Sequence, residues 1–183
     1  MAGTKKKNNK AVIIGIIIFA VILAVGAGIF LWAVNTPGNT NIDKAVEEYF
    51  AAVSYEDTDL YEKACYPIKW QNNFNSGSAG STLEEQIREA FSMQSGATYS
   101  DVEIVGREKL DKSYADKMTD SLKTRYGVNI KVSQIKKVNF KVNTVFGGEA
   151  SSTGTITRYC YKTGGKWFFL ADPDVIVDIG IEE

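Results

Sequence analysis

Residues 11–34 read AVIIGIIIFAVILAVGAGIFLWAV, a run of 24 positions without a charged side chain. At ~1.5 Å rise per residue such a helix is about 36 Å long, enough to cross the ~30 Å hydrocarbon core of a bilayer with some tilt. A soluble domain has no use for a helix that is apolar on every face. The run therefore predicts a transmembrane helix, with the lipid bilayer as its partner. Trp32 lies near its outer end, where an indole suits the water–lipid interface. Lys5, Lys6, Lys7 and Lys10 precede the run, and residues 1–34 hold no acid. Positive charge beside a first span stays inside. A cytoplasmic tail (1–10), one span of the plasma membrane (11–34), a linker (35–40) and an extracellular domain (41–183) follow. A cleaved signal peptide is the rival reading, since Ala24, Gly26 and Gly28 are small. Apolar sequence continues past them through Val34, longer than the ~7–15 residues of a signal h-region, and this favours an uncleaved anchor.

Beyond the span, 17 basic residues stand against 22 acidic ones, a net charge of −5. Nucleic-acid binding needs a basic footprint and is not expected. Histidine is absent, which removes Ser–His–Asp and Cys–His catalysis and any His-ligated metal or haem. No cofactor is expected. The glycine pairs Gly147-Gly148 and Gly164-Gly165 lack the following helix and the Lys-Ser/Thr of a phosphate loop.

Ile42, Val46, Tyr49, Phe50 and Val53 form one apolar stripe at helical spacing, with Thr40 or Asn41 as cap. A second helix is expected from Asp59, with Glu62 at capping-box spacing and Pro67 ending it. Residues 72–80 (NNFNSGSAG) read as a loop. Ser81/Glu84 and Thr82/Glu85 are capping-box pairs opening a third helix. Residues 102–105 read as a strand, and 113–126 as a helix with Gly127 at its C-cap. Val138, Phe140, Val142 and Thr144 alternate with polar neighbours, the pattern of a half-buried strand. A long strand over 149–162, a Gly164-Gly165 hairpin, a strand over 166–170 and an edge strand over 175–179 complete the reading. The fold class is α+β, with helices packed on one face of a curved antiparallel sheet.

Residues 43–50 (DKAVEEYF), 60–67 (LYEKACYP) and 159–170 (YCYKTGGKWFFL) resemble the first helix, its continuation and the final hairpin of the NTF2-like (cystatin-like α+β cone) superfamily, especially its small membrane-anchored bacterial members. The resemblance covers roughly residues 40–172. It implies a cone with a space between helices and sheet, in which some members bind small ligands or carry out catalysis while others serve as assembly domains.

Tyr49, Phe50, Phe91, Trp167, Phe168 and Phe169 are candidates to line such a pocket, with core packing as the alternative. Cys65 and Cys160, the two cysteines, are candidates for a disulfide outside the cytoplasm, with two small buried side chains as the alternative. Asp57/Asp59 is read as helix capping and Asp172/Asp174 as a turn, since neither continues into a calcium loop. Thr153, Thr155, Thr157, Tyr159 and Tyr161 line one strand face and are candidates for a docking surface, with an ordinary strand of high β-propensity as the alternative. The expected function is a membrane-anchored, non-enzymatic binding or assembly module of the bacterial cell envelope, its partner another envelope protein or a second copy. The alternatives are a small-ligand carrier and a pocket enzyme.

Overall fold

The computed structural model describes residues 37–75, 82–93, 96–146 and 149–181. The predicted tail and span lie outside them. Among the described residues no helix is long and apolar enough to cross a membrane.

Asn41 opens the first helix by accepting the Asp43 N–H at 3.0 Å. Helix α1 (Ile42–Tyr55) buries the whole expected stripe. Asp57, rather than Asp59, caps α2 (Thr58–Cys65), accepting the Leu60 N–H at 2.9 Å. The predicted loop at 72–80 starts too early, because α3 (Ile68–Asn75) runs through its first four residues. Trp70 and Phe74 sit one helical turn apart and are both buried, and this outweighs the weak helix propensity of the asparagines. Residues 76–81 are outside the described set. Helix α4 (Leu83–Met93) opens with a reciprocal capping box. The Thr82 N–H donates to Glu85 Oε2 at 2.8 Å, and the Glu85 N–H donates to Thr82 Oγ1 at 3.2 Å.

The sheet contains β1 (Ala97–Lys109), β2 (Val132–Phe146), β3 (Glu149–Thr163) and β4 (Lys166–Leu170), antiparallel throughout in the order β1-β2-β3-β4. Helix α5 (Lys112–Tyr126) connects β1 to β2 and ends at Gly127 in the left-handed region. Strand β1 is longer than expected and carries register shifts after Ser100 and Ile104. Gly164 and Gly165, both at positive φ, make the two-residue β3–β4 turn. The expected edge strand over 175–179 is instead helix α6 (Pro173–Asp178). Asp172 caps it, accepting the Val175 N–H at 3.2 Å, so the predicted turn at Asp172/Asp174 is a helix start. Pro173 in the first turn needs no N–H partner, and these two signals override the β-branched residues behind them.

The architecture is α+β, but helices do not keep to one face. In β4, Trp167, Phe168, Phe169 and Leu170 are buried in succession. Neighbours on a strand point to opposite faces, so both faces of β4 are covered. Phe169 stacks on Tyr49 of α1. Phe168 stacks on Tyr161, its cross-strand partner, and Tyr161 lies against Trp70 of α3.

Candidate functional site

Of the aromatics proposed to line a pocket, three pack directly on one another. The Tyr49 and Phe169 rings are parallel at 3.6 Å. Phe50 meets Tyr49 edge-on at 5.1 Å and Phe140 of β2 at 4.9 Å. Phe91 joins through Tyr61, at 5.3 Å from one ring, with Tyr61 5.5 Å from Tyr49. Trp167 stands apart, with the ammonium groups of Lys136 and Lys162 at 5.2 and 5.5 Å from its centroid. All five side chains belong to the buried core.

Cys65 and Cys160 are free thiols, both fully buried. Burial pushes both thiols up, and Cys65 is pushed further by its neighbour Cys160. A thiol held protonated is a poor nucleophile. The Tyr161 hydroxyl donates to the Cys65 carbonyl at 2.7 Å and ties α2 to the sheet. Burial likewise raises the Tyr61, Tyr66 and Tyr161 phenols, so none of them is prepared to lose a proton.

A polar cluster joins α5 to α6. Arg125 donates from Nε to Asp178 Oδ2 at 2.8 Å, from Nη2 to Asp178 Oδ1 at 2.6 Å and from Nη1 to Asp174 Oδ2 at 3.2 Å. Ser121 donates to Asp178 Oδ2 at 2.6 Å, and the Tyr126 hydroxyl to Asp172 Oδ2 at 2.6 Å. The Asp172/Asp174 pair, read in the sequence as a turn, is thus an anchor for the last helix. Arg125 and then Ser121 hold the Asp178 carboxyl down at about 2. A carboxyl depressed in the fold stabilises it fully above the unfolded value of ~3.9, and that contribution is lost as pH falls towards 2. Acidification from pH 4.5 to 2 is expected to loosen α6. The Ile176 and Ile179 methyl resonances should broaden or shift in that window, and Asp178→Asn should remove the acid-dependent step.

A further feature lies on β3. Its last residue paired with β4 is Tyr159, opposite Leu170, so, among the described residues, 149–158 pair only with β2. Sheet edges are ordinarily blunted by charge, proline or bulges. The β1 edge has such protection in its two register shifts, Asp101 at positive φ, and the charges of Glu103, Arg107, Glu108 and Lys109. Residues 150–157 of β3 (ASSTGTIT) have no charge and no proline. The threonine–tyrosine stripe divides along this strand. Tyr159 and Tyr161 are buried. Thr153 and Thr157 are tied to β2, donating to Asn143 Oδ1 at 2.5 Å and to Asn139 Oδ1 at 2.8 Å. Thr155 between them is exposed.

Where β4 stops, a recess of about 360 Å³ opens beside this edge, lined by Lys137, Thr155, Ile156, Thr157, Arg158, Tyr159 and Ile176. Its chemistry is apolar at Ile156 and Ile176 and cationic at Lys137 and Arg158. The recess sits in a basic part of the chain. Residues 121–171 hold nine basic residues and one acid, whereas residues 35–120 and 172–183 hold eight basic residues and 21 acids. The net charge of −5 averages over this division, and a count taken segment by segment would have found it.

The chain matches no protein-family model, no curated protein and no solved structure.

Proposed function

We propose that this protein is a single-pass, membrane-anchored assembly module of the bacterial cell envelope, non-enzymatic, with its N-terminus in the cytoplasm and residues 41–183 outside. The observation that carries the reading is the stretch of β3 over residues 150–157, which is uncharged and, among the described residues, has no strand on its side away from β2. An extended segment of a partner adds there as a further strand. Main-chain hydrogen bonds supply affinity, and the adjacent recess takes one of its side chains. Lys137 and Arg158 at that recess favour a partner strand with an acidic side chain beside an apolar one. Four helices ahead of the sheet and the β3–β4 hairpin near its end support an NTF2-like reading of the fold. The mutual packing of Tyr49, Phe50 and Phe169 speaks for assembly over the ligand-carrier and enzyme alternatives.

The test is crosslinking of the full-length, tagged protein in intact cells, followed by purification from the membrane. A stoichiometric membrane partner is expected. Thr155→Lys places a charge on the exposed edge without touching the core, and should lower recovery of that partner about ten-fold with an unchanged unfolding midpoint. Undiminished recovery with Thr155→Lys would remove the edge as the docking site.

A further inference from the structure

A second basic surface lies at the other end of the sheet. Lys109 of β1 pairs directly across from Lys136 of β2, and Lys136 pairs across from Cys160 of β3. One row on, Gln134, Lys162 and Trp167 are successive cross-strand partners. Cross-strand partners share a face, so Lys109, Lys136 and Lys162 lie on one face of the sheet, at the margin of its buried part, with Lys109 exposed and Lys136 and Lys162 half-buried. Like charges directly opposite on a sheet repel. Among the described residues no carboxylate is within ion-pair distance of any of the three. Lys136 and Lys162 are held at the Trp167 ring instead. A surface that gathers three ammonium groups without an internal counter-charge is built for an external anion.

The chain itself indicates which anion. Asn39 continues the row of Trp167 as a β-bridge: its N–H donates to the Trp167 carbonyl at 2.9 Å, and the Trp167 N–H donates to the Asn39 carbonyl at 2.6 Å. The apolar run ends at Val34, five residues earlier. At ~3.5 Å per residue the intervening chain reaches at most about 18 Å. The chain leading from the apolar run therefore joins the sheet beside Trp167, in the row of Lys162.

We infer that the Lys109, Lys136 and Lys162 surface rests on anionic lipid headgroups of the membrane that residues 11–34 cross, and that this contact orients the domain on the bilayer. The inference rests on the anchor reading and is independent of the β3 edge. Lysines near an anionic membrane are drawn to it, and salt screens the attraction.

The experiment uses the full-length protein in lipid nanodiscs, either all phosphatidylcholine or with phosphatidylglycerol as about a third of the lipid. A water-soluble amine-acylating reagent is applied, and each lysine's rate is read by mass spectrometry. Acylation of Lys109, Lys136 and Lys162 is expected to slow about five-fold or more in the anionic discs and to recover in 0.5 M NaCl, which shortens the screening length to a few Å. Lys141, on the opposite face of β2, serves as the control and should not change. Lys136→Gln/Lys162→Gln should abolish the protection of Lys109. Equal rates in both discs, or protection that persists in zwitterionic lipid, would overturn the headgroup contact while leaving the anchor in place. Failure of the protein to co-elute with discs would instead remove the anchor reading and this inference with it.

Discussion

Phe169→Ala is expected to destabilise the domain by about 3–5 kcal/mol, the range for truncating a fully buried aromatic. The Phe169 ring is 1% exposed, stacked on Tyr49 at 3.6 Å and near Phe50 at 6.1 Å. Its removal leaves a cavity bounded by α1 on one side and a hydrogen-bonded strand on the other, neither of which can close in by a ring's thickness. Phe146, exposed to 61%, provides the comparison. Phe146→Ala should stay within about 0.5 kcal/mol of the parent. Denaturant titration of the full-length protein in micelles, followed by tryptophan fluorescence, gives both values, with a shift in midpoint at constant slope marking a true stability change. The result also bears on function. A loss below about 1 kcal/mol would mean that the interior between α1 and the sheet tolerates empty space, and the ligand-carrier reading would gain what the assembly reading lost.

Local signals were the legible ones. The α1 stripe, the Thr82/Glu85 box, Gly127 and the Gly164-Gly165 turn each act within a few residues, so sequence spacing fixes them. The misread segments depend on distant partners. Residues 72–75 look like a loop until Phe74 meets Tyr126 and the Asn73 amide donates to the Tyr126 carbonyl. Residues 175–179 look like a strand because they are β-branched, but Asp172 and Pro173 had already set a helix start. The one-face expectation failed at WFFL. That unbroken apolar run was itself the mark of a strand covered on both sides. The β3 edge was half visible, since the expected strand over 149–162 outran the one over 166–170. That no other described strand covers the excess was a question of tertiary placement. The lysine surface was hidden twice over, by averaging of charge and by the register that sets Lys109 opposite Lys136.

Gly38→Ala is expected to release the chain between the predicted span and α1 from the sheet. Gly38 has φ +82, and a Cβ there would overlap the Phe168 ring. That ring cannot swing aside, because it is buried and stacked on Tyr161 at 5.5 Å. The left-handed backbone costs a side chain about 1–2 kcal/mol and overpacking about 1–3 kcal/mol, together roughly 2–5 kcal/mol. Against this stand the Gly38 N–H to the Lys63 carbonyl at 3.0 Å, the two Asn39–Trp167 backbone bonds and the Asn39 amide to Glu48 Oε2 at 2.6 Å, each worth about 1 kcal/mol net. The cheaper response at the upper end of that range is local: residues 37–39 let go and the rest of the fold stays. Hydrogen exchange should then speed up by about 30-fold or more at the Trp167 amide, the equivalent of a loss of about 2 kcal/mol, while Tyr161 and Leu170 keep their protection. Global loss of protection at all three would mean instead that the Asn39 bridge is part of the cooperative unit. Release would also move the first fixed point of the chain from Asn39 to Ile42, adding about 10 Å of slack to the tether. Protection of Lys109, Lys136 and Lys162 in anionic nanodiscs should weaken with it, because the headgroup contact depends on a short leash as much as on charge.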